Sequence, residues 1–267
     1  NPDVLCNREI KFKAFLDHAL TLGADAIATG HYACTTRETD GVHMRRAVDE
    51  NKDQTYFLYM LGQKQLSRSR FPLGGTVKSE VRRMAKQAGF PNHKKQDSTG
   101  ICFIGERRFR DFLSTYLPAN PGVMVTPEGR LLGEHQGLMY YTLGQRKGLG
   151  IGGRAGADEI PWFVVGKDLQ NNRLIVAQGH DHELLLTKTL QATQLHWVAG
   201  SPPSLPLRCL ARFRHRQPLQ WCELSRSGED RCLVRFEQRQ RAVTPGQSVV
   251  FYLGDDCLGG GIIERAE

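Results

Sequence analysis

The sequence predicts an α/β domain followed by β structure that closes into a small barrel. Three observations carry this. Residues 8–22 hold an amphipathic stripe that runs into a short apolar segment ending at Gly30-His31, the helix–strand–loop rhythm of a parallel sheet. Residues 118–122, P-A-N-P-G, are a strong breaker. Beyond them, short β-type runs recur between turns and no amphipathic stripe returns.

In order, Phe12, Phe15, Leu16, Ala19 and Leu20 form the first stripe, with Asn7 as the expected N-cap and Gly23 as the stop. A-D-A-I-A-T-G-H then reads as a buried strand, and ligands of such sheets bind beyond the carboxyl ends of strands, where Gly30 and His31 fall. Helices are expected over 53–61, 77–88 and 106–116. G-R-L-L-G, W-F-V-V-G and R-L-I-V-A read as strands, the last two joined at Asn171-Asn172 in a hairpin. Five or six further strands over 191–267 suggest the barrel, with S-P-P-S-L-P (201–206) as a loop inside it. The expected domains are therefore 1–117, 118–190 and 191–267.

Composition is that of a water-soluble globular chain of 267 residues, with no apolar run near the roughly 20 residues of a membrane span and no signal-peptide pattern. A cytoplasmic location is the expectation. Residues 1–116 hold 19 Lys and Arg against 13 Asp and Glu, whereas 191–267 hold 10 against 8, and all ten are arginine. A basic first part and an arginine-only tail suit a polyanionic partner. The first methionine is Met44, after a segment that already reads as ordered, so the chain reads as lacking its natural start.

Seven cysteines without a C-x-x-C pair fit neither a secreted disulfide framework nor a zinc ribbon. Two sit in polar company. Cys6, in N-P-D-V-L-C-N, is expected at the mouth of the first helix, where partial positive charge favours a thiolate. Cys102, in D-S-T-G-I-C-F-I-G-E, is flanked by Gly100 and Gly105 and by Lys94, Lys95, Arg107 and Arg108. A half-buried structural thiol is the alternative for each; the other five read as core or incidental. Asp3 reads as a proton mover, a grip on a base edge or an ordinary turn aspartate.

N-K-D-Q (51–54) opens the expected 53–61 helix, with Lys52, Asp53 and Gln54 exposed towards RNA or Asp53 simply capping. In R-F-R-H-R-Q (212–217), strand alternation puts Arg212, Arg214 and Arg216 on one face, a phosphate reader or a solvated strand face, and Phe213 and His215 on the other. G-L-G-I-G-G (148–153) lacks the strand before it and the acid after it that a dinucleotide fingerprint needs, and reads as a loop whose Arg146 and Lys147 meet phosphate. H-D-H (180–182) is no complete metal site.

Taken together, N-P-D-V-L-C-N, I-A-T-G-H-Y, N-K-D-Q-T-Y-F-L, K-K-Q-D-S-T-G-I-C-F-I-G-E-R, G-E-H-Q-G-L-M-Y-Y-T-L-G-Q-R-K-G-L-G-I-G-G and V-T-P-G-Q-S resemble the bacterial tRNA-specific 2-thiouridylases, the MnmA/TrmU family, in order and spacing across essentially the whole chain. The resemblance implies α/β plus β architecture: the remainder of an adenine-nucleotide alpha-hydrolase-like (PP-loop ATPase) domain, a small central β-rich domain and a C-terminal tRNA-binding β-barrel. It implies ATP-dependent 2-thiolation of the wobble uridine, by adenylation of the base and sulfur transfer from a cysteine persulfide.

By the same resemblance Cys6 matches the nucleophile and Cys102 the persulfide carrier, the two forming a transient disulfide. Asn1, Pro2 and Asp3 match the segment at the target base, and Gly30 an ATP contact. His31, Lys52, Asp53, Gln54, Arg214, His215 and Gln247 match tRNA contacts; at 215 some relatives are expected to carry tyrosine. Cofactors are then ATP with Mg2+ and persulfide sulfur from a donor protein. Partners are the lysine, glutamate and glutamine tRNAs and an upstream sulfur-relay protein, with no membrane and no resident metal. The family's S-G-G-V-D-S-type phosphate loop is not in this sequence, which implies that the chain alone does not activate uridine; a noncatalytic tRNA-binding fragment is the alternative.

Overall fold

Asn1 opens the first helix by accepting the Asp3 N–H on its side-chain oxygen at 3.1 Å, with Pro2 in the first helical position, which suits its fixed φ. The helix runs through Pro2–Leu5, a π-helical Cys6–Ala14 and Phe15–Thr21. Gly23, at φ +88°, ends it in the left-handed conformation expected of a helix stop. Two expectations are corrected here. Asn7 is not the cap: it lies inside the helix, 3% exposed. The stripe also drifts. The Phe15 N–H bonds Ile10 O, five residues back, so the wider π turn rotates Phe15 out to 54% exposure while Phe12 and Leu16 stay buried.

The computed structural model describes residues 1–95, 116, 119–151 and 160–267. They fall into two compact units. One comprises Asn1–Thr99, Thr189–Glu237 and Pro245–Arg265; the other comprises Gly100–Lys188, Gln238–Thr244 and Ala266–Glu267. The expected helix 106–116 and Cys102 lie outside the described residues, apart from Tyr116.

In the first unit, β1 (Ile27–Ala28) is followed by a hairpin of β2 (Cys34–Glu38) and β3 (Gly41–Arg45). The expected helix 53–61 is shorter, Thr55–Leu58, and a second, Gln63–Ser67, follows it. β4 (Ser69–Arg70) returns parallel to β1, which places Gly30 at a parallel-strand carboxyl end. The helix Lys78–Gln87 begins where the Lys78 N–H donates to Asp49 Oδ2 at 3.0 Å, and Gly89 at φ +73° terminates it.

The second unit holds β5 (Gly122–Val125), β6 (Leu131–His135), β7 (Trp162–Asp168) and β8 (Arg173–Gln178) in one sheet of order β6-β5-β8-β7. The expected hairpin at Asn171-Asn172 joins β7 and β8, with Asn172 at φ 51° and Asp168 accepting the Asn171 N–H. Met124, Leu132, Val164, Leu174 and Val176 build its core.

The last six strands are β9 (Leu186–Trp197), β10 (Leu207–Arg212), β11 (Gln220–Arg226), β12 (Arg231–Arg241), β13 (Ser248–Leu253) and β14 (Asp256–Ala266). Their order is β13-β10-β11-β12-β9-β14, and β13 pairs β14, so these six strands close into a barrel, while β3 and then β2 extend the same sheet beyond β14. Alternate residues Cys209 and Ala211, Cys222 and Leu224, and Cys232, Val234 and Phe236 fill the interior at 0–1% exposure. Gly260 lets Tyr59 pack against the barrel wall, because a Cβ there would meet Val249 O at 2.3 Å and Tyr59 Cδ2 at 2.9 Å. Tyr56, Leu58, Tyr59, Phe12 and Leu16 share one core with Val250 and Tyr252. Each such buried side chain contributes about 1.5–3 kcal/mol of burial. Among the described residues no helix is long and apolar enough to cross a membrane.

Candidate functional site

The site grows from the segment 51–57 and the loop after β10. β10 ends at Arg212, and residues 213–219 form turns rather than strand. The shared arginine face is therefore corrected. Arg212 is buried at 5% exposure, Arg214 and Arg216 are exposed, and Phe213 is buried at 2%. Turn hydrogen bonds shape the loop: the Gln217 N–H donates to Arg214 O at 3.0 Å, and the Phe213 N–H to Gln217 Oε1 at 3.1 Å.

Asp53 is 1% exposed, which corrects the expectation of a surface carboxylate. Its Oδ1 accepts the Ala47 N–H at 3.1 Å and its Oδ2 the Thr55 hydroxyl at 2.8 Å. Oδ2 also pairs with the Arg212 guanidinium, whose Nε donates to Tyr252 OH at 3.1 Å and whose Nη1 donates to His215 O at 3.2 Å. Sequence reading missed this partner because the two residues stand 159 positions apart.

Gln54 does structural work on the strand-end loop. Its Oε1 accepts the Tyr32 N–H at 2.8 Å while its own N–H donates to Tyr32 O at 2.8 Å, which fixes the backbone beside Gly30 and His31. His31 rests between Phe12 and Phe71, and burial, aided by Lys11, lowers its pKa to about 4. Burial, and then the neighbouring Arg212, lowers His215 to about 4 as well. Both imidazoles are therefore neutral near pH 7. His215 lies against the Phe57 ring, as a base-stacking side chain would.

Two cavities meet at these residues. One of about 440 Å³ opens between Gly30, Tyr32, Gln54, Lys78 and Lys95. The other, about 360 Å³, is bounded by Arg46, Glu50, Arg212 and Gln217. Asn51, Lys52, His215 and Arg216 line both and form the ridge between them. The charged groups lining the first are all cations, Lys52, Lys78, Lys95 and Arg216. A Cβ at Gly30 would meet only Leu73 Cδ1, at 3.9 Å, so the strand end is open to a ligand. Such a surface, cationic with one aromatic step, is built for phosphodiesters and for the flat faces of bases. Lys95 stood out in the sequence only as a cation near Cys102, and nothing but the basic excess of the first part hinted at Lys78 and Arg46.

Cys6 is buried at 9% exposure in the second turn of the first helix, and its N–H bonds back to Pro2 O and Asp3 O. The expected setting ahead of a helix cap is thus corrected, and the dipole argument weakens with it, since that field falls off within the first turn. Next to it, Asn7 Nδ2 donates to Phe57 O at 3.1 Å, tying the Cys6 helix to the ring on which His215 lies. Asn1, Pro2 and Asp3 share this helix start. Gln247, at the foot of β13, lines neither cavity, and its carbonyl accepts the Ile263 N–H. His182 caps a short 3-10 turn by accepting the Leu184 N–H.

Residues 1–106 match the model of a tRNA methyl transferase HUP domain, 110–178 that of a tRNA methyl transferase PRC-barrel domain, and 187–263 that of an aminomethyltransferase beta-barrel domain. The chain is 60% identical over 265 residues to the tRNA-specific 2-thiouridylase MnmA of Alcanivorax borkumensis, covering 99% of this chain and 72% of that protein. It is 59% identical over 267 residues to that of Streptococcus sanguinis, covering 100% and 71%. To that of Coxiella burnetii it is 58% identical over 263 residues, covering 98% and 71%.

Proposed function

Because the chain belongs to the tRNA-specific 2-thiouridylase MnmA family, we propose that it acts in the ATP-dependent 2-thiolation of the wobble uridine of tRNA, with sulfur delivered from a cysteine persulfide. The observation that carries this reading is the ridge of Asn51, Lys52, His215 and Arg216 between two cavities, the charged residues of the first being all cations and those of the second four cations with Glu50.

Uridine C2 is a poor electrophile because its oxygen leaves poorly. ATP supplies the activation when bound, by turning that oxygen into part of a leaving group. The open Gly30 strand end, with Lys78 and Lys95 nearby, fits a phosphate chain by charge. This chain's own residues then hold and orient the RNA. Lys52, Arg214 and Arg216 neutralise phosphates, neutral His215 stacks on a base, and neutral His31 offers a hydrogen bond rather than a charge. Gln54 acts through the Tyr32 backbone it pins, and Gln247 is assigned a further, peripheral contact.

Cys6 is the nucleophile in this reading and Cys102 the sulfur carrier, the two passing through a disulfide that reductants reopen. Asn1, Pro2 and Asp3 face the target base. The domains read as 1–117 for nucleotide chemistry, 118–190 as the central module and 191–267 as the tRNA-docking barrel. The substrates in this reading are cytoplasmic tRNAs for lysine, glutamate and glutamine, and a sulfur-relay protein loads Cys102.

The test is 2-thiouridine formation on tRNA with ATP and a persulfide donor, in the protein joined to an S-G-G-V-D-S-type phosphate loop and in Cys6→Ser and Cys102→Ser of that same protein. Loss of product in both variants supports the assignment. Normal turnover in either removes that cysteine from the chemistry.

A further inference from the structure

The ridge is made of two chain segments that lie outside regular helix and strand. Segment 51–54 precedes a helix of one turn, and segment 213–219 is a loop. Surface loops of this kind open easily unless something below fixes them. Directly below lies one connected polar cluster. Arg212 pairs with Asp53, donates to Tyr252 OH and donates to the backbone oxygen of His215. Thr55 joins through its hydroxyl, 2.8 Å from Asp53 Oδ2 and 3.2 Å from Tyr252 OH. Arg212 and Asp53 side chains are 6% and 1% exposed, and Tyr252 is fully buried.

We propose that Arg212 is a positioning residue: with Asp53 and Tyr252 it straps the loop bearing Arg214, His215 and Arg216 to the segment bearing Lys52, so that the RNA meets a preformed ridge. This rests on the reading of the ridge as a tRNA-docking surface. It reassigns Asp53, which the resemblance matched to a tRNA-contacting segment. Buried and paired as it is, its carboxylate acts on RNA only through what it holds. The guanidinium suits the task because its planar fork reaches a carboxylate, a phenol and a backbone carbonyl at once, which a lysine ammonium does not. Preorganisation of this kind raises affinity by lowering the ordering cost of binding.

Breaking only one partner leaves a buried charge uncompensated, so the test uses two milder variants. Asp53→Asn combined with Arg212→Gln removes both charges and keeps an acceptor for the Ala47 amide. Tyr252→Phe deletes one buried hydroxyl that no RNA can reach. Amide exchange without RNA is measured at 213–219 and, as a control, at 231–237 of β12. Faster exchange confined to 213–219 in both variants is expected; unchanged exchange there, or equal acceleration in β12, overturns the strap.

The dissociation constant for unmodified tRNA is then measured against salt. In the double variant it is expected to rise about tenfold, the size of coupling carried by packed networks, with the salt slope unchanged. A slope flattened as in Arg214→Ala means that Arg212 itself touches phosphate and overturns the proposal. If the unaltered protein binds no tRNA, the docking reading fails, and the exchange measurement alone decides whether the strap exists.

Discussion

His215 lies over Phe57 with ring centroids 4.5 Å apart and planes tilted by 39°. Phe57 O in turn accepts from Asn7, so one short stretch of backbone supports both an aromatic step on the surface and the helix of Cys6. His215→Ala is expected to weaken tRNA binding by about 1–3 kcal/mol, the cost of a lost base stack. His215→Tyr should preserve it. Because the imidazole is already neutral above about pH 4, affinity should not change between about pH 6 and 8 on its account. Titrated fluorescence anisotropy with tRNA checks all three.

Arg214 is exposed on the loop that Arg212 anchors. Arg214→Ala should weaken tRNA binding and flatten the slope of log K against log salt by about 0.7–0.9, the value of one phosphate contact. Binding measured at several salt concentrations gives the slope directly, and an unchanged slope takes Arg214 off the interface.

Asn7→Ala deprives Phe57 O of its donor in a buried setting. The expected loss is about 1 kcal/mol of stability, read as a lower urea midpoint with the same m-value. Product formation should fall by more than this stability loss explains, since the Cys6 helix then loses its tie to the 51–57 segment.

Acid should destabilise the fold before the carboxylates titrate. His31 and His215 have folded pKa values of about 4, against about 6.5 when unfolded. Between these values the unfolded chain binds more protons, so stability is lost as pH falls from about 6.5 towards 4. Thermal midpoints should drop across that window, and less steeply in His31→Gln. A flat profile contradicts the burial of both rings.

Much of this was legible in the chain because it rests on local pattern. Gly23 and Gly89 end helices where a left-handed residue is needed, and the barrel interior keeps strict alternation at Cys222, Leu224, Cys232, Val234 and Phe236. What was not legible depends on departures from regular period or on distant partners. Phe15 left its stripe because a π-helical segment is not a 3.6-residue helix. Arg212 looked like one of three arginines on a shared strand face, and an aspartate 159 positions away, with Tyr252 40 positions away, holds it inward. The two cavities form where 51–54 meets 213–219, and no spacing within either segment announces that meeting.

The long separation of Asp53 from Arg212 has a consequence for synthesis. During translation the segment bearing Lys52 and Asp53 emerges well before the strand bearing Arg212. Its arginine partners arrive only with β10, and β13 and β14 must follow before the barrel closes. A nascent chain therefore carries half a docking ridge with no floor beneath it. On the docking reading, tight engagement of tRNA is expected only once the carboxyl-terminal strands have joined the fold.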